Sequence, residues 1–324
     1  MNILVTGGAG FIGSNFIHYV LNKYREYQII NYDKLTYAGN LANLETIRKS
    51  KNYTFIKGDI TNQELLEYVV NTYAIDVIVN FAAESHVDRS INNSSPFVKT
   101  NILGTQILLE VARKHFLRFI QISTDEVYGS LGPNGYFTEE TPLSPNSPYS
   151  ASKASADFMV RSYHETFGLN TNITRCSNNY GPFQYPEKLI PLMIINAINM
   201  KPLPVYGDGQ NIRDWLHVKD HCSAIDLVIH KGKSGQVYNI GGHNERTNLE
   251  IVEHIVEALG VSKNLITFVP DRLGHDYRYA IDSRKIQNEL KWKPIYSFDD
   301  GMKETISWYQ NHEEWWKKLL PTMK

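Results

Sequence analysis

Between Ile120 and Lys153 the sequence collects a hydroxyl, two adjacent carboxylic acids, a phenol and an amine, on Thr124, Asp125, Glu126, Tyr149 and Lys153. Tyr149 and Lys153 are four residues apart, and Ser147 with Pro148 suits an N-cap and first helical position, so both side chains share a face near a helix start. A lysine cation beside a phenol favours the phenolate and lowers its pKa from about 10, which makes Tyr149 a usable base near neutrality. Thr124, Asp125 and Glu126 follow the apolar run at 119–122, which reads as a strand ending where open parallel sheets place their ligands. Adjacent carboxyls can serve as acid and base when their surroundings keep one protonated and the other ionised. Successive residues of a regular strand point to opposite faces, so both acids reach one substrate only if the backbone turns after Ser123.

Neither pattern decides the matter alone. An Asp-Glu pair is ordinarily a solvated loop feature, and Tyr and Lys are common neighbours on helices. Their weight comes from the turn Thr6-Gly7-Gly8-Ala9-Gly10-Phe11-Ile12-Gly13, which follows one strand directly and opens a helix. Glycines at 7, 10 and 13 permit a tight turn and close backbone approach, and the N–H groups of the helix start favour a pyrophosphate. Asp33, at the end of the second strand, can accept from an adenosine ribose and would repel a 2′-phosphate, favouring NAD over NADP; Lys34 beside it weakens that preference. Asp59 and Ile60, and then Phe81, Ala82 and Ala83, are the next places where a cofactor would meet the sheet edge.

The elements that must carry these groups alternate. Apolar runs at 3–5, 28–32, 53–57, 76–83, 119–123 and 172–176 are separated by segments of helical periodicity at 11–24, 63–72, 97–114 and 149–167. This pattern predicts an α/β protein with a Rossmann-type doubly wound parallel sheet covered on both faces. After Cys176 the texture changes: Asn178-Asn179-Tyr180-Gly181-Pro182 reads as a breaker, followed by a helix at 188–200 and then Pro202, Pro204, Gly207 and Gly209. A helix at 218–229 and a buried strand at 236–240 return to the sheet, and helices at 249–259, 283–290 and 299–320 surround an irregular middle. The expected arrangement is interleaved: residues 1–177 with about 216–242 form the cofactor domain, and about 178–215 with 243–324 form a smaller mixed α/β substrate-binding lobe.

The totals narrow the partners. The 324 residues suffice for two lobes, and 33 Lys plus Arg balance 34 Asp plus Glu without long runs of one sign. This removes the electrostatic case for nucleic acid or an anionic membrane and favours a small-molecule partner. Cys176 and Cys222 lack metal-type spacing and do not make a disulfide framework. A first strand starting at residue 2 leaves no room for a signal peptide, and no stretch approaches the ~20 apolar residues of a membrane span, so a cytoplasmic location is expected.

Gly7, Gly10 and Gly13, Asp59, the Ala82-Ala83 strand end and the Tyr149/Lys153 pair together resemble the extended short-chain dehydrogenase/reductase superfamily over most of the first 180 residues. Within it, the segments at 123–129, 83–90 and 178–182 resemble the dTDP-glucose 4,6-dehydratase family, and this likeness runs nearly end to end. The resemblance implies tightly bound NAD, a homodimer, and conversion of dTDP-glucose to dTDP-4-keto-6-deoxyglucose by oxidation, loss of water and reduction. It makes Tyr149 the base at the sugar O4, Lys153 its electrostatic partner and ribose ligand, and Thr124 a hydrogen-bond partner of O4. Asp125 would protonate the departing C6 hydroxyl, and Glu126 would take the C5 proton.

The chemistry supports the same order. A ketone at C4 acidifies the C5 hydrogen, so oxidation must come first, and elimination then needs both a base at C5 and an acid at the C6 oxygen. The resemblance extends the cofactor set to Leu35, Thr36, Ser85, Thr100 and Asn179, with Ser85 and Thr124 also facing substrate. It assigns the nucleoside diphosphate to Asn178, Lys188, Leu189, Pro204, Val205 and Tyr206, and further to Arg213, Asn248, Asp271, Arg272 and His275. Arg213 could fork onto phosphate oxygens, Lys188 act as a point charge and Tyr206 pack on a base. The segment between Gly129 and Pro145 is shorter than in better-known members, which leaves open whether it covers the site. Helices at 97–114 and 149–167 are the expected dimer surface.

Other signals carry less. His217 and His221 have helical i, i+4 spacing, but the H-E-x-x-H glutamate and a third ligand are missing, so no metal site is expected. His86 suits packing or hydrogen bonding as well as catalysis, and Trp315 and Trp316 suit helix packing. Two readings compete with the dehydratase. A nucleotide-sugar 4-epimerase shares the fold, NAD and the Tyr-Lys pair but needs no elimination acid and base, so Asp125 and Glu126 discriminate; a non-catalytic NAD-sensing protein would keep only the fold.

Overall fold

A computed structural model describes residues 1–320. The first half alternates as its periodicity requires: β1 Asn2–Thr6, α1 Phe11–Lys23, β2 Gln28–Asp33, β3 Tyr53–Lys57, α2 Gln63–Thr72 and β4 Val77–Asn80. Then come α3 Val87–Asn92, a long helix made of α4 Ser95–Phe97, a π-helical segment Val98–Gly104 and α5 Thr105–Lys114, then β5 Arg118–Thr124, α6 Pro148–Phe167 and β6 Thr171–Cys176. Beyond it lie β7 Asn178–Tyr180, α7 Leu189–Ile198, β8 Leu203–Tyr206, β9 Ile212–His217, α8 Val218–Lys231 and β10 Val237–Ile240. The chain closes with β11 Glu245–Thr247, α9 Asn248–Leu259, β12 Ile266–Val269, α10 Arg284–Leu290, α11 Phe298–Asn311 and α12 Glu313–Lys317.

Seven of these strands form one parallel sheet in the order β10-β6-β5-β4-β1-β2-β3. The chain winds outward from β1 to β3 and then crosses back to lay β4 on the other side of β1, which puts a topological switch point at the carboxyl ends of β1 and β4. Both faces are buried. Phe16, Ile17 and Val20 of α1 pack with Ile225 and Val228 of α8 on one side; Leu66 and Val69 of α2, Leu108 of α5 and Val160 of α6 cover the other.

A separate core joins α7, α9, α11 and α12, with Ile194, Val252, Met302 and Trp316 fully or nearly fully buried. A three-stranded sheet β11-β9-β7 and a two-stranded parallel pair β12-β8 accompany it. Here the sequence reading needs correction. The segment at 178–182 contains a strand, and the Pro-rich stretch after Pro202 contains another. Pro204 fits because β8 pairs with one neighbour only, so the missing N–H can lie on the unpaired side. The tail helix expected at 299–320 breaks at His312, whose extended φ of −124° ends α11. Trp316 is buried and Trp315 donates to Asn43 at 2.8 Å, tying this tail to the 3-10 helix Leu41–Ile47 that follows β2. Among the described residues no helix is long and apolar enough to cross a membrane.

Candidate active site

Two adjoining clefts meet at the carboxyl edge of the main sheet and share Ser85, Glu126, Asn178, Asn179, Gln184, Glu187 and Lys188. The first begins at the glycine turn. Gly7 has φ +69°, and a Cβ there would lie 2.6 Å from the Ala82 nitrogen; at Gly13 it would lie 2.5 Å from the Gly7 carbonyl oxygen. These positions leave no room for a side chain, so α1 starts hard against the sheet. Gly10 is its N-cap and no side chain caps it, so the N–H groups of the first turn, where Phe11 and Ile12 line the cleft, are left for a ligand. Asp33 is buried at the next strand end, its carboxylate accepting from the Ala9 and Leu35 amides at 2.9 and 2.8 Å. Burial raises its pKa and those two N–H groups oppose the rise.

Lys34 does not serve Asp33. Its ammonium pairs with Asp59 at 2.8 Å, and against the effect of burial this ion pair and the Thr61 amide hold Asp59 below the ordinary carboxylate range. The ambiguity that Lys34 introduced into the cofactor preference is thereby reduced.

At the deep end, β5 ends with Thr124 and the chain tightens at once into a 3-10 turn, Asp125–Tyr128. The Thr124 hydroxyl accepts from the Glu126 amide and donates to Asp125 Oδ1, both at 3.3 Å. That is the turn after Ser123 that the two acids require, and both line the first cleft with Thr124, Tyr149 and Lys153. Helix α6 starts with Ser147 as N-cap in a reciprocal capping box with Ser150, and Pro148 occupies its first turn. Tyr149 is pinned by its own amide donating to Ser90 Oγ at 3.2 Å.

One electrostatic expectation fails in this geometry. Lys153 directs its ammonium to the Ile122 carbonyl at 2.6 Å, and burial lowers its pKa. Tyr149 is raised well above an ordinary phenol, first by burial and then by Glu126, Cys176 and Asp125. Burial and the neighbouring acids thus disfavour the phenolate in the protein alone.

The acids differ. Burial lifts Asp125 far above the ordinary aspartate range, and Glu126 and Asp214 add to the rise. Burial also raises Glu126, but Arg213, Lys188 and Arg272 oppose it. Asp125 Oδ2, Ser123 Oγ and Asn178 Oδ1 are buried without hydrogen-bond partners and line the cleft, as expected of groups held for a ligand.

The second cleft brings together Leu189, Pro204, Val205, Tyr206, Arg213, Asn248, Arg272 and His275. Arg213 is buried with its guanidinium 4.2 Å from the Tyr279 ring centre, donating to the Ile212 and Asp276 carbonyls at 2.7 and 2.9 Å. It is oriented in advance, with donors remaining for a ligand. Lys188 donates to the Ser85 carbonyl at 2.9 Å. Of the cofactor-side residues expected, Gly10, Phe11, Ile12, Thr36, Ile60, Phe81, Ala83 and Thr100 all line the first cleft.

Leu35 and Asp271 line neither cleft. Leu35, at φ +58°, turns the chain and gives its amide to Asp33, while Asp271 holds His275 at 2.6 Å.

Several lining residues escaped the sequence reading. Tyr37 is stacked under Arg89 at 3.7 Å, and Glu187 lies 3.5 Å from His86 Nε2. A carboxylate directly before Lys188 was the available signal for Glu187. Residues 129–145 line neither cleft. They are held sideways on 277–282, with the Leu131 and Phe137 amides donating to the Arg278 and Ala280 carbonyls at 3.0 and 2.9 Å. His221 bonds the Asn179 side chain at 2.9 Å and His217 stacks on Tyr296, and among the described residues no cluster of metal-ligand type is present.

A family model described as GDP-mannose 4,6 dehydratase matches residues 4–305. The chain is 51% identical over 324 residues to a dTDP-glucose 4,6-dehydratase of Streptomyces niveus, covering 98% of this chain and 96% of that one. Among solved structures it superposes with TM-score 0.94 on a dTDP-glucose 4,6-dehydratase from Bacillus anthracis in complex with NAD, at 59% identity over 98% of this chain and 99% of that one. A UDP-glucose 4-epimerase from Thermotoga maritima is more distant, with TM-score 0.89 and 29% identity over 96% and 99% of the two chains.

Proposed function

Since the chain belongs to the dTDP-glucose 4,6-dehydratase family of extended short-chain dehydrogenases/reductases, we propose that it converts dTDP-glucose to dTDP-4-keto-6-deoxyglucose and water with NAD bound in the first cleft. The observation that carries this reading is the placement of Asp125 and Glu126 on one turn, in the same cleft as Tyr149 and Lys153. An epimerase has no use for an acid and a base beyond the Tyr-Lys pair.

The cleft fits the cofactor: Gly7 and Gly13 give the close approach, the uncapped α1 the N–H groups, and buried Asp33 a carboxylate for a ribose. Bound there, NAD would supply the hydride acceptor for C4 and the hydride donor for C6, so none would be consumed; this chain's residues handle the protons. Tyr149 takes the proton of the O4 hydroxyl, with Thr124 on the same oxygen and Lys153 beside the phenol. The C4 ketone acidifies C5, whose proton passes to Glu126; Asp125 protonates the C6 hydroxyl, which departs as water. Glu126 returns a proton to C5 as C6 is reduced. The proton gained by Tyr149 balances the one lost by Asp125, so proton transfer between them resets the site.

The second cleft takes the nucleoside diphosphate, with Arg213, Lys188 and Arg272 on phosphate and Tyr206 on the base. Residues 1–177 with about 216–242 act as the cofactor domain and the remainder as the sugar-nucleotide lobe. Exposed Val98 and Leu103 of the long helix and Phe158 and Phe167 of α6 suit a homodimer interface, and the protein works in the cytoplasm. The test is incubation with dTDP-, UDP-, GDP- and CDP-linked hexoses and product analysis by mass. Loss of one water from dTDP-glucose supports the reading. Unchanged mass with inverted C4, or no turnover while NAD binds, overturns it.

A further inference from the structure

Behind the site runs a buried polar chain whose members line neither cleft. Asp157, on α6 four residues after Lys153, accepts from Arg175 Nε at 2.8 Å, and both side chains are buried. Arg175 Nη1 donates to the Tyr128 hydroxyl at 2.9 Å. That hydroxyl donates onward to Asn239 Oδ1 at 2.8 Å, and the Asn239 amide side chain donates to the Phe137 carbonyl at 3.2 Å. Tyr128 is the last residue of the turn carrying Asp125 and Glu126. Its ring stacks on Phe137 with centroids 5.0 Å apart, in a small core that includes Ala154, the neighbour of Lys153.

A buried ion pair adds little net stability compared with apolar packing of the same volume, but its directional bonds favour one arrangement of the elements it joins; here Asp157 Oδ2 carries the bond to Arg175 and Oδ1 is buried without a partner. The elements joined here are the turn that holds the elimination acids and the helix that holds the oxidation pair. We propose that Asp157, Arg175, Tyr128 and Asn239 form a clamp that sets the position of the Asp125–Glu126 turn relative to Tyr149 and Lys153, so that one bound hexose meets both sets of groups. These are positioning residues: they act through the turn and touch no ligand. The proposal rests on the dehydratase reading.

Tyr128→Phe in the NAD-loaded protein keeps the ring and removes both hydroxyl bonds. Three readings test the clamp: amide hydrogen exchange across 125–128 and α6, cofactor reduction on mixing with dTDP-glucose, and release of the 6-deoxy product. The expected result is faster exchange at 125–128 with α6 unchanged, cofactor reduction little altered, and product formation slowed on the order of 10²-fold, the scale of a small misplacement of reacting groups. Asn239→Ser, which spares the ion pair and the Arg175–Tyr128 bond, should show the same pattern more weakly, and it decides the matter if Tyr128→Phe does not fold. Unchanged exchange at 125–128 overturns the clamp. So does an equal slowing of oxidation and elimination with a lowered unfolding temperature, the mark of a merely structural role. If the wild-type protein leaves dTDP-glucose untouched, the functional reading falls, while the exchange measurement still judges the clamp.

Discussion

Asp125 and Glu126 are consecutive on one turn, yet their electrostatic surroundings are opposed: the charges that act most on Asp125 are Glu126 and Asp214, and those that act most on Glu126 are Arg213, Lys188 and Arg272. Burial raises both acids; the charges around the first add to that rise, and those around the second oppose it. This is the division that an elimination with one donor and one acceptor requires.

Asp125→Asn removes the proton donor without changing shape. Oxidation at C4 should proceed while loss of water slows by about 10²–10⁴-fold, the range for a general acid. Stopped-flow absorbance should show reduced cofactor accumulating, and mass analysis a keto sugar that retains its C6 oxygen. Normal turnover would remove Asp125 from this role.

Glu126→Gln should suppress exchange of the C5 hydrogen with solvent. Turnover in deuterated water, followed by mass analysis of recovered sugar nucleotide, reads this directly. Persistent deuterium incorporation at C5 at the wild-type rate would assign the base elsewhere.

The raised pKa of Asp125 has a consequence for stability. Its folded value lies above the unfolded one, so its contribution is fully present below the ordinary aspartate range and is lost as pH rises through the folded value. At neutral pH the wild type bears that loss and Asp125→Asn does not. The variant should unfold a few degrees higher near pH 7, with the gain narrowing as pH falls toward the ordinary aspartate range. Thermal unfolding across pH checks both sign and window; a gain that does not vary with pH would point to packing instead. Elimination in the wild type should slow as pH rises through the same folded value.

Asp33→Asn should weaken NAD binding on the order of tenfold and relax discrimination against NADP, since a charged acceptor becomes neutral. Lys34 cannot take over recognition of a 2′-phosphate without leaving Asp59. Cofactor titration of the apoprotein measures both affinities, and unchanged selectivity would place the discrimination on another group.

Much of the architecture was legible because alternating apolar runs and helical periodicities have few packed solutions, and the glycine turn has meaning wherever a strand feeds a helix. Ser147 and Pro148 mark the start of α6 in the sequence itself, which places Tyr149 and Lys153 on one face. The strands β7 and β8 were missed because Asn, Gly and Pro there read as punctuation, whereas pairing with distant β9 and β12 supplies the hydrogen bonds that local propensity does not.

What the sequence alone determined is the inventory: a cofactor turn, a phenol and amine one helical turn apart, and two acids at a strand end. Which proton each group holds depends on distant parts of the chain. Asp214 and Arg213 on β9 and Lys188 at the start of α7 reach the two acids only after these elements fold against the sheet edge, and Lys153 meets the Ile122 carbonyl only when α6 packs on β5. Burial and Coulomb interactions act through space, so the acid–base assignment became readable only when the tertiary structure set those distances.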